Sequence, residues 1–202
     1  GSTSRCPMTF ATTLRSVLRQ DPNIIMVGEI RDHDTALIAT EASLTGHLVL
    51  STLHTNDAPG ALPRLLDMGV EPFLVSSALI GVVAQRLVRL LCPSCRQPYT
   101  LPPEAIQLLQ LPAGTVDGDL RAFKPVGCEA CNGQGYKGRL GAFELLVVTD
   151  EIRRLVLARA PAGEIARVAR DQGMTPMLQD AVSKVLQGVT SMEEAFRVIN
   201  AA

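Results

Sequence analysis

Asp21-Pro22-Asn23-Ile24-Ile25-Met26-Val27-Gly28-Glu29-Ile30-Arg31-Asp32 is the stretch whose reading governs the rest of the chain. Asp21 and Pro22 favour a turn and stop any preceding helix. Four apolar residues follow without alternation, which predicts a short parallel strand buried on both faces. Gly28 and Glu29 end it. A carboxylate directly after such a strand stands at the strand's carboxyl end, where open α/β sheets bind their ligands. There it can orient an attacking water or help to hold Mg²⁺ in a nucleotide hydrolase. The same residues also suit a strand end followed by a solvated charged loop. Gly28 permits a bend or a close approach of the backbone.

Outward from this stretch, helix and strand alternate. A helix is predicted over 12–19 and another over 34–44, with Asp32 or Asp34 as N-cap and Gly46 near its end. A second strand over 47–53 follows, then helices over 58–68 and 72–80 and a strand or extended segment over 82–91. This alternation implies a three-layer α/β sheet. The second strand carries Thr45-Gly46-His47-Leu48-Val49-Leu50-Ser51-Thr52-Leu53-His54-Thr55-Asn56. It sets Thr52, His54, Thr55 and Asn56 at its carboxyl end, beside Glu29, where polar groups can sense a terminal phosphate. His47 and His54 are seven residues apart and face opposite ways on one strand, so they do not share a metal.

The composition shifts at residue 92. Of five cysteines, at 6, 92, 95, 128 and 131, four form two CxxC pairs with 32 residues between them. Cys92, Cys95, Cys128 and Cys131 can supply four thiolates to a structural Zn²⁺ with no position left open for catalysis. The gap exceeds the usual spacing of about 15–20 residues, so an insertion must loop out, with a short helix over 103–111 and a Gly-containing stretch over 113–119. Gly133, Gly135 and Gly138 suit tight turns near the metal. Cys6 reads as a free thiol. Arg86, Arg89 and Arg96 flank the first pair, as solvated charge or as groups reaching a nucleotide or a neighbouring subunit.

A strand over 139–148 leads into a helical tail. Thr149 caps a helix over 150–159, a second runs over 164–172, and Thr175-Pro176 supplies an N-cap and N1 proline for 176–187. Ser191-Met192-Glu193-Glu194 reads as a capping box for 191–200. Leu155, Val156, Ile165, Val168, Leu178, Val182, Val185, Leu186, Phe196 and Ile199 are read as packed core.

Composition excludes several classes. With 47% hydrophobic and 19% charged residues the chain is not disordered. Nineteen Lys and Arg against 20 Asp and Glu, and only 3% aromatics, disfavour a nucleic-acid binder. No apolar run reaches the roughly 18 residues of a membrane span. Gly1-Ser2 resembles a cloning scar.

Together these motifs resemble the secretion and pilus-assembly ATPases of the GspE/PulE/PilB type. The resemblance rests on Leu18-Arg19-Gln20-Asp21-Pro22, on 26–32, on 45–56, on Ala84-Gln85-Arg86-Leu87, on both CxxC pairs and on Gly135-Tyr136-Lys137-Gly138-Arg139. It covers about residues 9–200. It implies an α/β fold in which a partial RecA-like (P-loop NTPase) sheet over 9–91 precedes a tetracysteine zinc subdomain over 92–139 and a strand and helical subdomain over 140–202. It makes 24–32 a Walker B box with Glu29 as the water-activating carboxylate. It makes 45–56 a His box, with His47 and His54 near the nucleotide or the intersubunit interface, and adds Gly28, Arg31, Thr52 and Arg86 to the nucleotide-binding residues. It further implies ATP and Mg²⁺ in the full-length protein, a cytoplasmic homo-hexamer, and docking on an inner-membrane platform protein and associated cytoplasmic domains.

One departure stands out: the chain contains no GxxxxGK[ST] loop. In the family that loop lies upstream of the Walker B box, so the chain reads as a C-terminal fragment, inactive on its own, with apolar sheet surface left uncovered. The competing reading is a zinc-ribbon interaction module whose α/β part is only scaffold.

Overall fold

In a computed structural model the described residues are 22–102, 105–106 and 120–199, with Thr13, Ser16 and Gln20. Cys6, most of the predicted helices over 12–19 and 103–111, and the stretch over 113–119 lie outside them. Contacts divide the chain into two compact units, 1–82 with 146–172 and 83–145 with 173–202.

The first unit is organised by β1 (Ile24–Val27), α1 (His33–Leu44) and β2 (Leu48–Ser51). β1 and β2 pair in parallel, from Ile24 opposite Leu48 to Val27 opposite Ser51. A parallel pair needs a crossover, and α1 supplies it. It begins where the Asp32 carboxylate accepts the Thr35 N–H at 2.8 Å, which satisfies one of the helix's orphan donors. Its buried side chains are Thr35, Ala36, Ile38, Ala39 and Ala42; their small size lets the helix lie close to its neighbours. α2 (Ala61–Asp67) and α3 (Pro72–Ala78) follow. The unit is completed from later in the chain by α4 (Asp150–Leu157) and α5 (Ala162–Asp171). α4 packs on α3, and Arg153 Nε donates to the Ser76 carbonyl at 3.0 Å.

The strands depart from expectation on one point. Ile25 and Val27 are buried, but Ile24 and Met26 are 62% and 77% exposed, and Leu48 and Leu50 are also open. β1 is therefore covered on one face, not two. A parallel strand is buried on both faces only when helices flank both, and among the described residues one face lacks that cover. The described strands also form three two-stranded sheets and not one continuous sheet.

In the second unit, most of β3 (Gly81–Leu91) pairs with β6 (Tyr136–Val147). β4 (Gln97–Thr100) and β5 (Arg121–Lys124) pair antiparallel, Gln97 opposite Lys124 and Thr100 opposite Arg121. α6 (Met177–Leu186) and α7 (Met192–Ile199) pack on each other and on β5. The core joins Val88, Leu101, Ala122 and Ala142 to Met177, Val182, Val185 and Met192. Among the described residues its buried side chains are aliphatic, with Tyr99 and Phe196 packed against them.

Two helix starts differ from the sequence reading. Pro176 is the N-cap of α6, not its first helical residue. It has no side-chain donor or acceptor, and the Glu144 carboxylate instead accepts the Met177 N–H at 3.2 Å. At α7, Ser191 Oγ accepts the Glu194 N–H at 3.2 Å, which is one half of a capping box. The Glu194 side chain is drawn away to two arginines.

Candidate functional site

The carboxyl ends of β1 and β2 bring Glu29 beside Thr52 and His54. Thr52 ties the loop down on both sides of Glu29. Its hydroxyl donates to the Gly28 carbonyl at 2.7 Å, and its carbonyl accepts the Ile30 N–H at 3.0 Å. Ile30 is buried and anchors the segment. The Glu29 side chain is only 22% exposed; its Oε2 meets Arg31 Nε at 2.6 Å and its Oε1 pairs with His54 Nε2. A Cβ built on Gly28 meets nothing within 4 Å. Packing within the chain does not demand glycine there, and the space in front of it is open.

His47 is not part of this group. It precedes β2, at the opposite end of a ladder about 13 Å long. Its Nδ1 donates to the Ala42 carbonyl at 3.0 Å and lies 3.2 Å from Thr45 Oγ1, so it closes the end of α1. Arg86 lies half-buried on β3 in the second unit. The structure thus gathers Gly28, Glu29, Arg31, Thr52 and His54, and does not gather His47 with them.

The second constellation is the cysteine cluster. The first pair follows β3, where the Cys92 N–H donates to the Gly135 carbonyl at 2.9 Å. The second lies on a 3₁₀ turn, Glu129–Cys131. The β4–β5 ladder zips the two ends of the insertion together, which is how pairs 32 residues apart meet. All four Sγ atoms lie within 4.8 Å of one another, with Cys92–Cys128 and Cys95–Cys131 at 3.9 Å and Cys128–Cys131 at 3.8 Å. A Zn–S bond of about 2.3 Å sets a tetrahedral edge near 3.8 Å, so the donor set fits a four-thiolate metal.

Backbone N–H groups support the thiolates. Gly127 donates to Cys95 Sγ at 3.3 Å, and Cys128 and Gly135 each donate to Cys131 Sγ at 3.2 Å. Burial opposes ionisation of Cys131, but these bonds outweigh it and bring the thiol down to about 6. Burial and the neighbouring sulfurs push Cys128 up to about 11. Gly133, Gly135 and Gly138 all have positive φ, although Gly138 lies within β6 and not in a turn. The sequence reading missed Gly127: at φ 109° its Cβ would stand 2.5 Å from the Gly133 carbonyl oxygen.

It also missed a buried acid. The Glu194 carboxylate accepts Arg89 N at 3.0 Å, Arg89 Nη2 at 2.8 Å and Arg197 Nη2 at 2.8 Å. Burial alone would raise its pKa, but Arg197 and Arg89 hold it down to about 2. Arg89 also stacks on Tyr136 at 4.1 Å, and Tyr136 Oη shares a 2.6 Å hydrogen bond with Ser191 Oγ. Arg96 bonds the Gly188 carbonyl and stacks on Phe123. Arg89 and Arg96 thus have partners within the chain, although the Arg89 side chain is still 45% exposed. The one available signal was the i, i+3 spacing of Glu194 and Arg197.

This α/β arrangement, with a carboxylate closing a parallel strand, is of the RecA-like fold class. The chain superposes on the crystal structure of the pilus retraction motor PilT with bound ADP at a TM-score of 0.63, 28% identical, covering 94% of this chain and 43% of that one. The Legionella pneumophila ATPase DotB gives 0.62 at 25% identity, over 96% and 43%. The family model for type II/IV secretion system proteins matches residues 3–197, and the chain belongs to that family. It is 56% identical over 191 residues to type II secretion system protein E of Dickeya dadantii (strain 3937), covering 95% of this chain and 37% of that protein. It is 55% identical over 187 residues to the type IV pilus assembly ATPase PilB of Thermus thermophilus, covering 93% and 21%. The chain thus spans well under half the length of these relatives. No helix among the described residues is long and apolar enough to cross a membrane.

Proposed function

We propose that the full-length protein is a motor ATPase of a secretion or pilus-assembly machine and that this chain carries its water-activating carboxylate, Glu29. The observation that carries this reading is the placement of Glu29 two residues beyond β1, largely buried and beside the polar end of β2. Relatives named as ATPases over nearly the whole chain support it. In such a site the carboxylate orients a water in line with the terminal phosphorus and receives its proton, while bound Mg²⁺ neutralises charge on the phosphates. Gly28 leaves room for a phosphate, and Arg31 faces the same crevice. Arg86 and His47 are assigned to nucleotide or intersubunit contacts by resemblance alone.

The remaining parts of the proposal follow the family resemblance. The subdomains are 9–91, 92–139 and 140–202. The four cysteines hold a structural Zn²⁺, supported by the spacing of their sulfurs. The whole protein works as a homo-hexamer in the cytoplasm, peripheral at the inner membrane on a platform protein, and binds no nucleic acid. The 202-residue chain alone, without a GxxxxGK[ST] loop, neither binds ATP tightly nor hydrolyses it.

The test is Glu29→Gln in the full-length protein. It keeps the shape and removes the base. Hydrolysis should fall by about 10²–10⁴-fold with nucleotide affinity retained; undiminished turnover would end this reading.

A further inference from the structure

We infer that the segment 188–194 clamps the metal centre, and that Tyr136 and Glu194 are positioning residues that set its affinity for the ion. The inference rests on the reading of the four cysteines as ligands of a structural Zn²⁺. All the residues involved belong to the second unit. The two cysteine pairs come from distant parts of the chain, and four residues, 188–191, reach both. One residue before Cys92, the Leu91 N–H donates to the Val189 carbonyl at 2.9 Å. One residue after Cys95, the Arg96 guanidinium donates to the Gly188 carbonyl. A Cβ on Gly188 would stand 2.6 Å from the Phe123 ring and 3.0 Å from Arg96 Nη1, so this approach takes glycine.

The tie to the second pair runs through Tyr136. The Gly135 N–H donates to Cys131 Sγ at 3.2 Å, and the Gly135 carbonyl accepts the Cys92 N–H at 2.9 Å. Gly135 thus joins a ligand of one pair to the backbone of the other. The next side chain, Tyr136, is buried, and its Oη shares a 2.6 Å hydrogen bond with Ser191 Oγ. Glu194 fixes both partners of that bond. Its N–H donates to Ser191 Oγ at 3.2 Å. Its fully buried carboxylate holds the Arg89 guanidinium, which lies 4.1 Å over the Tyr136 ring. Residues of this kind orient metal ligands without touching the ion, and replacing them typically costs about 10–100-fold in metal affinity. Holding the two pairs together beforehand removes part of the ordering cost of binding.

The experiment measures the zinc Kd of the full-length protein by competition with a chromophoric chelator. Glu194→Gln should weaken zinc binding about tenfold or more. Tyr136→Phe, which keeps the ring over Arg89 and removes the hydroxyl, should weaken it less but in the same direction. With Co²⁺ in place of zinc, the thiolate-to-metal absorption should shift in both variants, since the sulfurs are no longer held at the parent spacing. Val182→Ala is the control. It opens the same core at a residue that is 1% exposed. It should lower the melting temperature and leave the zinc Kd within about twofold, because loss of stability does not change the affinity of a form that stays folded. An unchanged Kd in Glu194→Gln and Tyr136→Phe would overturn the inference. So would a Val182→Ala protein that binds zinc as weakly as Glu194→Gln does, since general stability would then explain the loss. If Glu194→Gln does not fold, Tyr136→Phe carries the test. A parent protein that holds no zinc would defeat the metal reading itself. A parent that holds one zinc, beside variants of unaltered affinity, would defeat this inference alone.

Discussion

The end of β1 and the cysteine cluster are opposite solutions to holding reactive groups. At Glu29 the partners are two long, mostly exposed side chains, His54 and Arg31, and exposed ion pairs contribute little, about 0–1 kcal/mol. At the cysteines the donors are sulfurs, two of them buried, braced by backbone N–H groups of Gly127, Cys128 and Gly135. The first site can change partners and the second cannot. A working carboxylate must be reachable, whereas a four-thiolate centre is closed by its own ligands.

Removing metal should break the closed site with the largest effect. Structural zinc contributes on the order of 10 kcal/mol to folding at neutral pH in small metal-dependent domains. Elemental analysis should find one zinc per chain, and chelation should unfold the region over 92–139. Well under one zinc, with circular dichroism unchanged by chelator, would make the cluster something other than a structural centre. Glu29→Gln should do the reverse, removing turnover while zinc content and melting temperature stay put.

Next in size is Glu194, which resembles the closed site in being buried and fully engaged. Glu194→Ala should lower urea-unfolding stability by about 3 kcal/mol. The acid limb gives an independent reading. The carboxyl sits near 2 in the fold against an ordinary value of 4.5, so the unfolded chain binds the proton more tightly. Its stabilisation is complete above pH 4.5 and disappears as pH falls toward 2. An acid-unfolding profile with the same slope in the parent and in Glu194→Gln would remove this assignment. The smallest effect belongs to a local cap: Thr149 Oγ1 accepts the Ile152 N–H at 3.3 Å, and Thr149→Ala should cost about 1 kcal/mol by thermal denaturation.

Much of the first site was legible in the order of residues. The apolar run before Glu29 and the polar run after Leu50 define two strand ends, and parallel pairing then brings those ends together. His47 was assigned to the same site by resemblance and stands at the other end of β2. Chain direction decides this, since His47 precedes the strand and His54 follows it. The four candidate metal ligands were legible because a CxxC turn is local. Gly127 was not, because its tight approach to Gly133 exists only after the turn has closed. The exposed face of β1 differs from the buried strand expected, since a run such as Ile24-Ile25-Met26-Val27 states only that cover is needed, not that it is present.

The order of residues by itself determined where most of the described helices and strands lie, which carboxylate follows a strand and which four thiols can share a metal. Apolar periodicity, caps and short motifs act over a few residues, so they can be read along the chain. Tertiary structure alone decided that Glu194 leaves its own helix cap for Arg89, 105 residues away. It alone decided that a carboxylate from β6 caps α6 and that Thr52 brackets Glu29. Each of these depends on burial and on partners brought close by folding, and neither quantity is a property of a local stretch of chain.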